Sequence, residues 1–250
     1  MANLTTLEQY YASVDAGDID RAMTLVAPDV SFAILLPGKA VRGAERQGLV
    51  DYLSGRGEVV RRHMVSRSSR DGDLEFVYGA VVEDDRTTTG HFLAAAHLDS
   101  AGLISGYQVS FDPDLGLLPA TEHQGTSATR NAPLSYRWFE TMDSDTPERV
   151  LDMITDDFEM SVLFATSDGA AEFHGDRAGL IGYLEQREKS VLTHHILRGE
   201  RVGDTELVLG ETRRGGTFEA SFNSTAQLSE DGRLVRRLLI CRTPRVEFGK

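Results

Sequence analysis

The residues best suited to chemistry in this chain are two histidines. His63 in Arg-Arg-His-Met-Val and His194 in Thr-His-His-Ile-Leu stand 131 residues apart, each where helix-forming residues give way to strand-forming ones. Imidazole gains and loses a proton near neutral pH, so a recurring histidine points to general acid–base work. A packing role in a repeated fold recurs equally well, and both readings stand. Glu211 and Arg237 place a carboxylate and a guanidinium on otherwise apolar strands. Facing inward they are costly unless paired or used, whereas a slip of one residue returns them to solvent.

Other chemistries lack their residues. His174 with His194 and His195 does not make a metal site, because neighbours on a strand point to opposite faces and no H-E-x-x-H accompanies them. The chain contains no G-x-S-x-G elbow, phosphate-binding G-x-x-x-x-G-K-[ST] or dinucleotide fingerprint. Cys241 is the single cysteine, in the apolar run Leu-Leu-Ile-Cys, and reads as core rather than nucleophile. No cofactor and no metal are expected.

The elements that must position the histidines occur twice. Residues 10–32 (YYASVDAGDIDRAMTLVAPDVSF) align without a gap on 138–160 (WFETMDSDTPERVLDMITDDFEM), an offset of 128 residues that carries Asp15 onto Asp143. Gly48-Leu-Val-Asp-Tyr-Leu53 returns as Gly179-Leu-Ile-Gly-Tyr-Leu184 at the offset of 131 residues that relates the histidines. A period this long means a duplicated domain rather than a solenoid, whose repeats run roughly 20–50 residues. The expected division is one domain over residues 1–111, a Pro-, Gly-, Ser- and Thr-containing linker over 112–130 and a second domain over 131–250.

In each half the pattern predicts a helix, a second short helix, an apolar strand, a third helix and a meander of long strands. In the first half these are helices at 5–16, from Asp18 and at 44–55, and strands at 30–36, 59–69, 74–83, 88–98 and 103–111, with a short strand ending at Gly43. In the second they are helices at 133–143 and 149–154, and strands at 160–164, 205–213, 216–228 and 233–242.

A net charge of −13 over 250 residues disfavours a nucleic-acid backbone or an anionic membrane as partner. No apolar run approaches the roughly 18 residues of a membrane span, and the start MANLTTLEQYY is unlike a signal peptide, so the expected location is cytoplasmic.

The order of elements, with Val14-Asp-Ala-Gly-Asp18 and Ala27-Pro-Asp-Val-Ser31, resembles the nuclear-transport-factor-two-like superfamily, which includes steroid delta-isomerases, scytalone dehydratase, limonene-epoxide hydrolases and SnoaL-like polyketide cyclases. The resemblance implies an α+β fold: tandem cone-shaped barrels, each a curved, mainly antiparallel mixed sheet wrapped around three helices, with a mostly apolar pocket. It places His63 and His194 where relatives often carry a pocket histidine, and Tyr10 where steroid isomerases carry a tyrosine. The remaining steroid-isomerase positions fall on Ile34 and Ala94 in the first half and on Val162 and Ser224 in the second. An isoleucine accepts no proton, so that mechanism is rejected.

Strand alternation puts Phe92, Ala94, Ala96 and Leu98 inside the first cone, with Phe76, Tyr78, Tyr107, Val109 and Phe111. In the second it puts Phe222, Leu207, Leu209, Glu211, Arg237, Leu239 and Cys241 inside. His91 and His97 then face outward, towards a sheet-to-sheet interface. The expected catalytic set is Tyr10, His63, His194 and Glu211; the ligand-binding set is Tyr78, Phe92, Tyr107, Phe111, Trp138, Phe222 and Arg237. Trp138 reads more readily as core than as a binding residue, because aromatic stripes are more often core.

The sequence thus suggests a cofactor-independent enzyme of the SnoaL-like or dehydratase type, which isomerises, cyclises, dehydrates or opens an epoxide of a small hydrophobic oxygenated metabolite. The alternative is a non-catalytic binding or scaffolding module. The two halves are expected to pair as an intrachain pseudo-dimer through their outer sheet faces, which leaves further homodimerisation open.

Overall fold

The computed structural model describes residues 4–57, 59–84, 87–113, 115, 117, 132–166, 169–186, 192–244, 246 and 248. The first half comprises α1 (Thr6–Asp15), α2 (Ile19–Met23), β1 (Val26–Leu36), β2 (Lys39–Gly43), α3 (Arg46–Ser54), β3 (Arg61–Asp71), β4 (Leu74–Glu83), β5 (Thr87–Leu98) and β6 (Ile104–Asp112). The second comprises α4 (Pro133–Asp143), a 3-10 helix (Pro147–Met153), β7 (Ile154–Thr166), β8 (Gly169–Asp176), α5 (Arg177–Gln186), β9 (Leu192–Val202), β10 (Thr205–Arg214), β11 (Thr217–Leu228) and β12 (Val235–Thr243). The expected second helix of that half is the 3-10 segment. Most of the expected linker, residues 118–130 among it, lies outside the described residues.

Each half forms a six-stranded sheet, ordered β2-β1-β6-β5-β4-β3 in the first and β8-β7-β12-β11-β10-β9 in the second. Among the described strands only β1 with β6, and β7 with β12, run parallel. This is the α+β cone expected for each half, built twice. No described helix is long and apolar enough to cross a membrane.

The start of α1 is specified locally. Thr5 and Glu8 form a capping box: the Thr5 hydroxyl accepts the Glu8 N–H at 3.2 Å, and the Glu8 carboxylate accepts the Thr5 N–H at 2.8 Å. The fully buried Glu75 of β4 adds a non-local cap, accepting from the backbone of Thr6 at 3.1 Å and Leu7 at 2.8 Å. Glu206 does the same for α4, accepting from Leu134 and Ser135. A buried carboxylate survives there because it satisfies otherwise orphan donors at the positive end of the helix dipole.

Leu7, Tyr10 and Tyr11 on one face of α1 pack into the first cone against Val30, Phe32, Val77, Phe92, Ala94 and Tyr107. Trp138, Phe139, Met142, Met160, Val208 and Phe222 fill the corresponding place in the second. A third apolar cluster joins the halves, bringing Ala33, Leu35, Phe76 and Ala95 against Leu163, Leu209, Leu239 and Cys241. Its polar centre is hydrogen-bonded across the halves: Ser221 donates to Gln108 at 2.6 Å, Gln108 donates to the Cys241 carbonyl at 3.0 Å, and Asn223 donates to the Leu93 carbonyl at 3.2 Å. Arg198 of β9 crosses to the other half, donating to the Leu74 carbonyl and to Ser69 at 2.9 Å each while pairing with Glu200.

These contacts correct several expected faces. Tyr78 points between the sheets, packs on Leu93, Val202 and Leu207, and donates to the Leu117 carbonyl at 2.7 Å. Val77 and Val81 take the interior positions. Both faces of β4 are apolar because both are covered, so the alternation carries no sign of which face is inner. The same holds for β10, where Leu207 and Leu209 face the other half and Val208 faces the cone.

Glu211 lies outside the second cone as well. It is fully buried, accepts the Phe248 N–H at 3.0 Å and stands 3.4 Å from Arg213. On β12 a register irregularity between Val235 and Arg237 shifts the parity, so Leu238 rather than Arg237 faces inward. Arg237 is paired on the outside with Glu159 at 3.1 Å.

Candidate functional site

Gly17, with a φ of +74°, ends α1 in a conformation that favours glycine and leaves Asp15 at the helix terminus beside the beginning of β3. There Asp15 takes hold of His63 twice. One carboxylate oxygen accepts the His63 backbone N–H at 2.7 Å, and the other lies 2.6 Å from Nδ1. A carboxylate only accepts, so Nδ1 carries the hydrogen, and in the neutral imidazole the lone pair is on Nε2. Nε2 has no protein partner among the described residues. The imidazole packs against both the Tyr11 ring, centroid 4.4 Å away, and the Phe92 ring at 5.0 Å, which also touch each other at 5.1 Å.

His63 lines a cavity of about 610 Å³ inside the first cone. Its apolar wall is Ile34, Leu36, Val41, Val81, Phe92, Val109 and Phe111; its polar groups include Lys39, Asp51, Tyr52, Arg56, Arg61, Glu83 and Thr89. That size and mixture suit a small, largely hydrophobic ligand with a few oriented polar groups. Arg61 is neutralised by Glu83 at 2.7 Å.

Behind His63 lies a tyrosine cluster. The Tyr11 and Tyr107 hydroxyls are 2.7 Å apart, and the Tyr10 ring stands edge-on to both at centroid distances of 5.5 Å. Burial pushes all three phenols well above their ordinary range, so they remain protonated. Tyr10 and Tyr107 were expected at the site, but neither lines the cavity. Tyr10 is packing, and the hydroxyl pair next to His63 belongs to Tyr11 and Tyr107.

The second cone keeps the histidine clamp and loses the space. Asp143 accepts the His194 N–H at 2.6 Å and approaches Nδ1 at 2.6 Å, while the His194 ring packs on Phe139 and Phe222. The interior beside it measures only about 60 Å³. The helix offset puts Trp138 at the place of Tyr10, Phe139 at Tyr11 and Met142 at Val14. The strand registers put Phe173 at the place of Val41 and Leu238 at that of Tyr107. Trp138, Met142 and Phe173 are larger than their counterparts and take up volume, while Phe139 and Leu238 stand in place of tyrosines, so the hydroxyl pair is absent. Trp138 belongs to this filled core, as does Phe222.

Of the expected residues, then, the structure gathers His63, Phe92 and Phe111 around one cavity and His194 and Trp138 around a nearly closed one, with Phe222 packed against His194 outside that lining. Tyr78, Glu211 and Arg237 belong to neither. Asp15, Tyr11 and Arg56 escaped the sequence reading, although Asp15 and Asp143 carried a usable signal by recurring together with the histidines. His91 is buried between the sheets; His97 meets Asp73 at 3.0 Å and Ser105 at 2.9 Å. Cys241 is buried at the sheet interface, where desolvation pushes its thiol far up, away from nucleophilic use. Among the described residues no group of three His, Cys, Asp or Glu side chains could hold a metal ion.

No family model matches the chain, and no curated protein matches it. Solved structures similar to one half include an NTF2-like protein of unknown function from Cytophaga hutchinsonii ATCC 33406. It is 14% identical with a TM-score of 0.35, the match covering 45% of this chain and 96% of that one. Another NTF2-like protein of unknown function, from Burkholderia pseudomallei K96243, is 16% identical with a TM-score of 0.37, over 43% of this chain and 88% of that one. A protein of the SnoaL-like family from Agrobacterium tumefaciens str. C58 is 13% identical with a TM-score of 0.36, over 43% and 94%.

Proposed function

We propose that the first cone is the working half, an acid–base site for a small hydrophobic oxygenated metabolite, with His63 as the proton carrier and Asp15 as the residue that orients it. The single observation behind this reading is that His63 lines a cavity of about 610 Å³ inside its cone, whereas His194, held in the same way, borders an interior space of only about 60 Å³ and otherwise an open groove of about 420 Å³ beside Tyr136 and Glu140. In this reading Nε2 takes a proton from the substrate carbon or hydroxyl next to a carbonyl. The released electron pair moves onto the substrate oxygen, and the imidazolium rests against Asp15 until it returns the proton to another substrate atom or a departing hydroxyl. Isomerisation, cyclisation and dehydration share this step. Residues 1–111 and 131–250 are two domains in this account, the second serving as a built-in partner for the outer sheet face of the first.

A second reading has its own support. The His194–Asp143 contact persists at 2.6 Å in a filled cone, which is what a purely structural clamp between helix and strand would do. The first half is then a binding module that leaves its ligand unchanged.

Hydrogen–deuterium exchange separates the two. A panel of hydrophobic ketones in deuterated water, followed by NMR, should show protein-catalysed exchange of α-protons. His63→Ala should reduce that rate about 100-fold or more, in the range of general acid–base contributions, and His194→Ala should leave it intact. Binding without exchange, or equal losses in both variants, supports the module.

A further inference from the structure

We infer that the ligand of the first cone carries an anionic group, a carboxylate in the simplest case, held at Arg56, with its apolar body lying against Phe92, Phe111 and Val41. This rests on the reading of that cone as the ligand site and adds the chemical class of the ligand. Arg56 lines the cavity with its guanidinium carbon 4.7 Å from the Tyr52 ring centroid and one N–H donated to the Tyr52 hydroxyl at 3.0 Å. Stacking and that hydrogen bond fix the guanidinium, yet no carboxylate of the described residues pairs with it.

The neighbouring charges are differently placed. Arg61 is matched by Glu83 at 2.7 Å, and Asp51 is engaged by Gln47 at 2.8 Å. Among the described residues the wall contains Lys39, Arg56 and Arg61 against Asp51 and Glu83, an excess of one positive charge in a chain whose net charge is −13. A half-buried guanidinium with most of its donors uncommitted is a ready receptor for a planar anion, which it can bind through two parallel hydrogen bonds. The second cone offers the contrast: its guanidinium, Arg242, is paired with Glu219 at 2.8 Å.

Matched probes test this on the full-length chain. Titration calorimetry with 2-naphthoic acid and its methyl ester compares an anion with a neutral body of nearly the same shape. The acid should bind at least about tenfold more tightly, the scale of one charge-assisted contact. Arg56→Met should bring the acid to the affinity of the ester and leave the ester unchanged; Arg56→Lys should keep part of the preference and guards against a folding artefact. An ester that binds as well as the acid, or an Arg56→Met variant that weakens both alike, overturns the inference, and so does binding of neither probe. Failure here is distinguishable from failure of the catalytic reading. A preference for the acid without ketone exchange leaves only the anion site standing, and exchange without the preference leaves only the proton carrier.

Discussion

Asp15 grips His63 at two atoms, accepting the backbone N–H at 2.7 Å and meeting Nδ1 at 2.6 Å, and so ties the end of α1 to the start of the edge strand β3. The same pair of contacts joins Asp143 to His194. One device therefore serves two cones of very different volume, and stability and function separate between them.

Removing the clamps should show that separation. Asp15→Ala and Asp143→Ala should each lower the unfolding free energy by about 1–3 kcal/mol, since each strands a part-buried N–H and a ring nitrogen. Chemical denaturation measures the loss. Ligand affinity and any turnover should change with Asp15→Ala alone.

The filled second cone shows how to close the first. Val41 occupies the place that Phe173 takes in the other half. Val41→Phe should project into open volume and cost under about 1 kcal/mol, below the usual penalty for overpacking a full core. Its thermal unfolding should be near that of the parent, while affinity for probes that fill the cavity falls at least about tenfold.

His91 supplies a pH dependence. It is fully buried between the sheets, with Nδ1 3.2 Å from the Asp112 carbonyl and the Tyr78 ring 6.2 Å away. Burial lowers its pKa to about 4, against an opposing pull from the Asp112 carboxylate. The unfolded chain, whose histidine has an ordinary pKa near 6.5, binds the extra proton first as pH falls. Stability tied to the neutral imidazole is therefore complete above about pH 6.5 and is lost progressively towards pH 4, by at most about 3 kcal/mol. His91→Gln should lose less stability than the parent over that interval in parallel denaturation series.

What could be read in advance followed the kind of signal available. Phe92 and Phe111 point into the cone as the alternation predicts, because polar residues mark the opposite face of their strands, His91 and His97 on one and Gln108 and Ser110 on the other. Tyr78 was misplaced because Leu74–Glu83 is apolar on both faces, one buried in the cone and the other against the second sheet. Arg237 was misplaced by the irregularity after Val235, which a constant alternation cannot reveal. Glu211 was misplaced because its strand is buried almost throughout, so a carboxylate serving the inter-half contact looks like one aimed into a pocket. The Asp15–His63 contact spans 48 residues, and only the paired recurrence of both residues hinted at it. The difference in volume between the cones depends on several substitutions acting together, Trp138 and Phe173 among them, and no single position announces it.

The most direct test is a crystal of the full chain soaked with a brominated aromatic acid and measured at the bromine absorption edge. One anomalous peak per chain is expected, inside the first cone between Arg56 and His63 and against Phe92. A peak in the second cone among Trp138, Phe173 and His194, or a first cone left empty while bromine occupies the second, would contradict it.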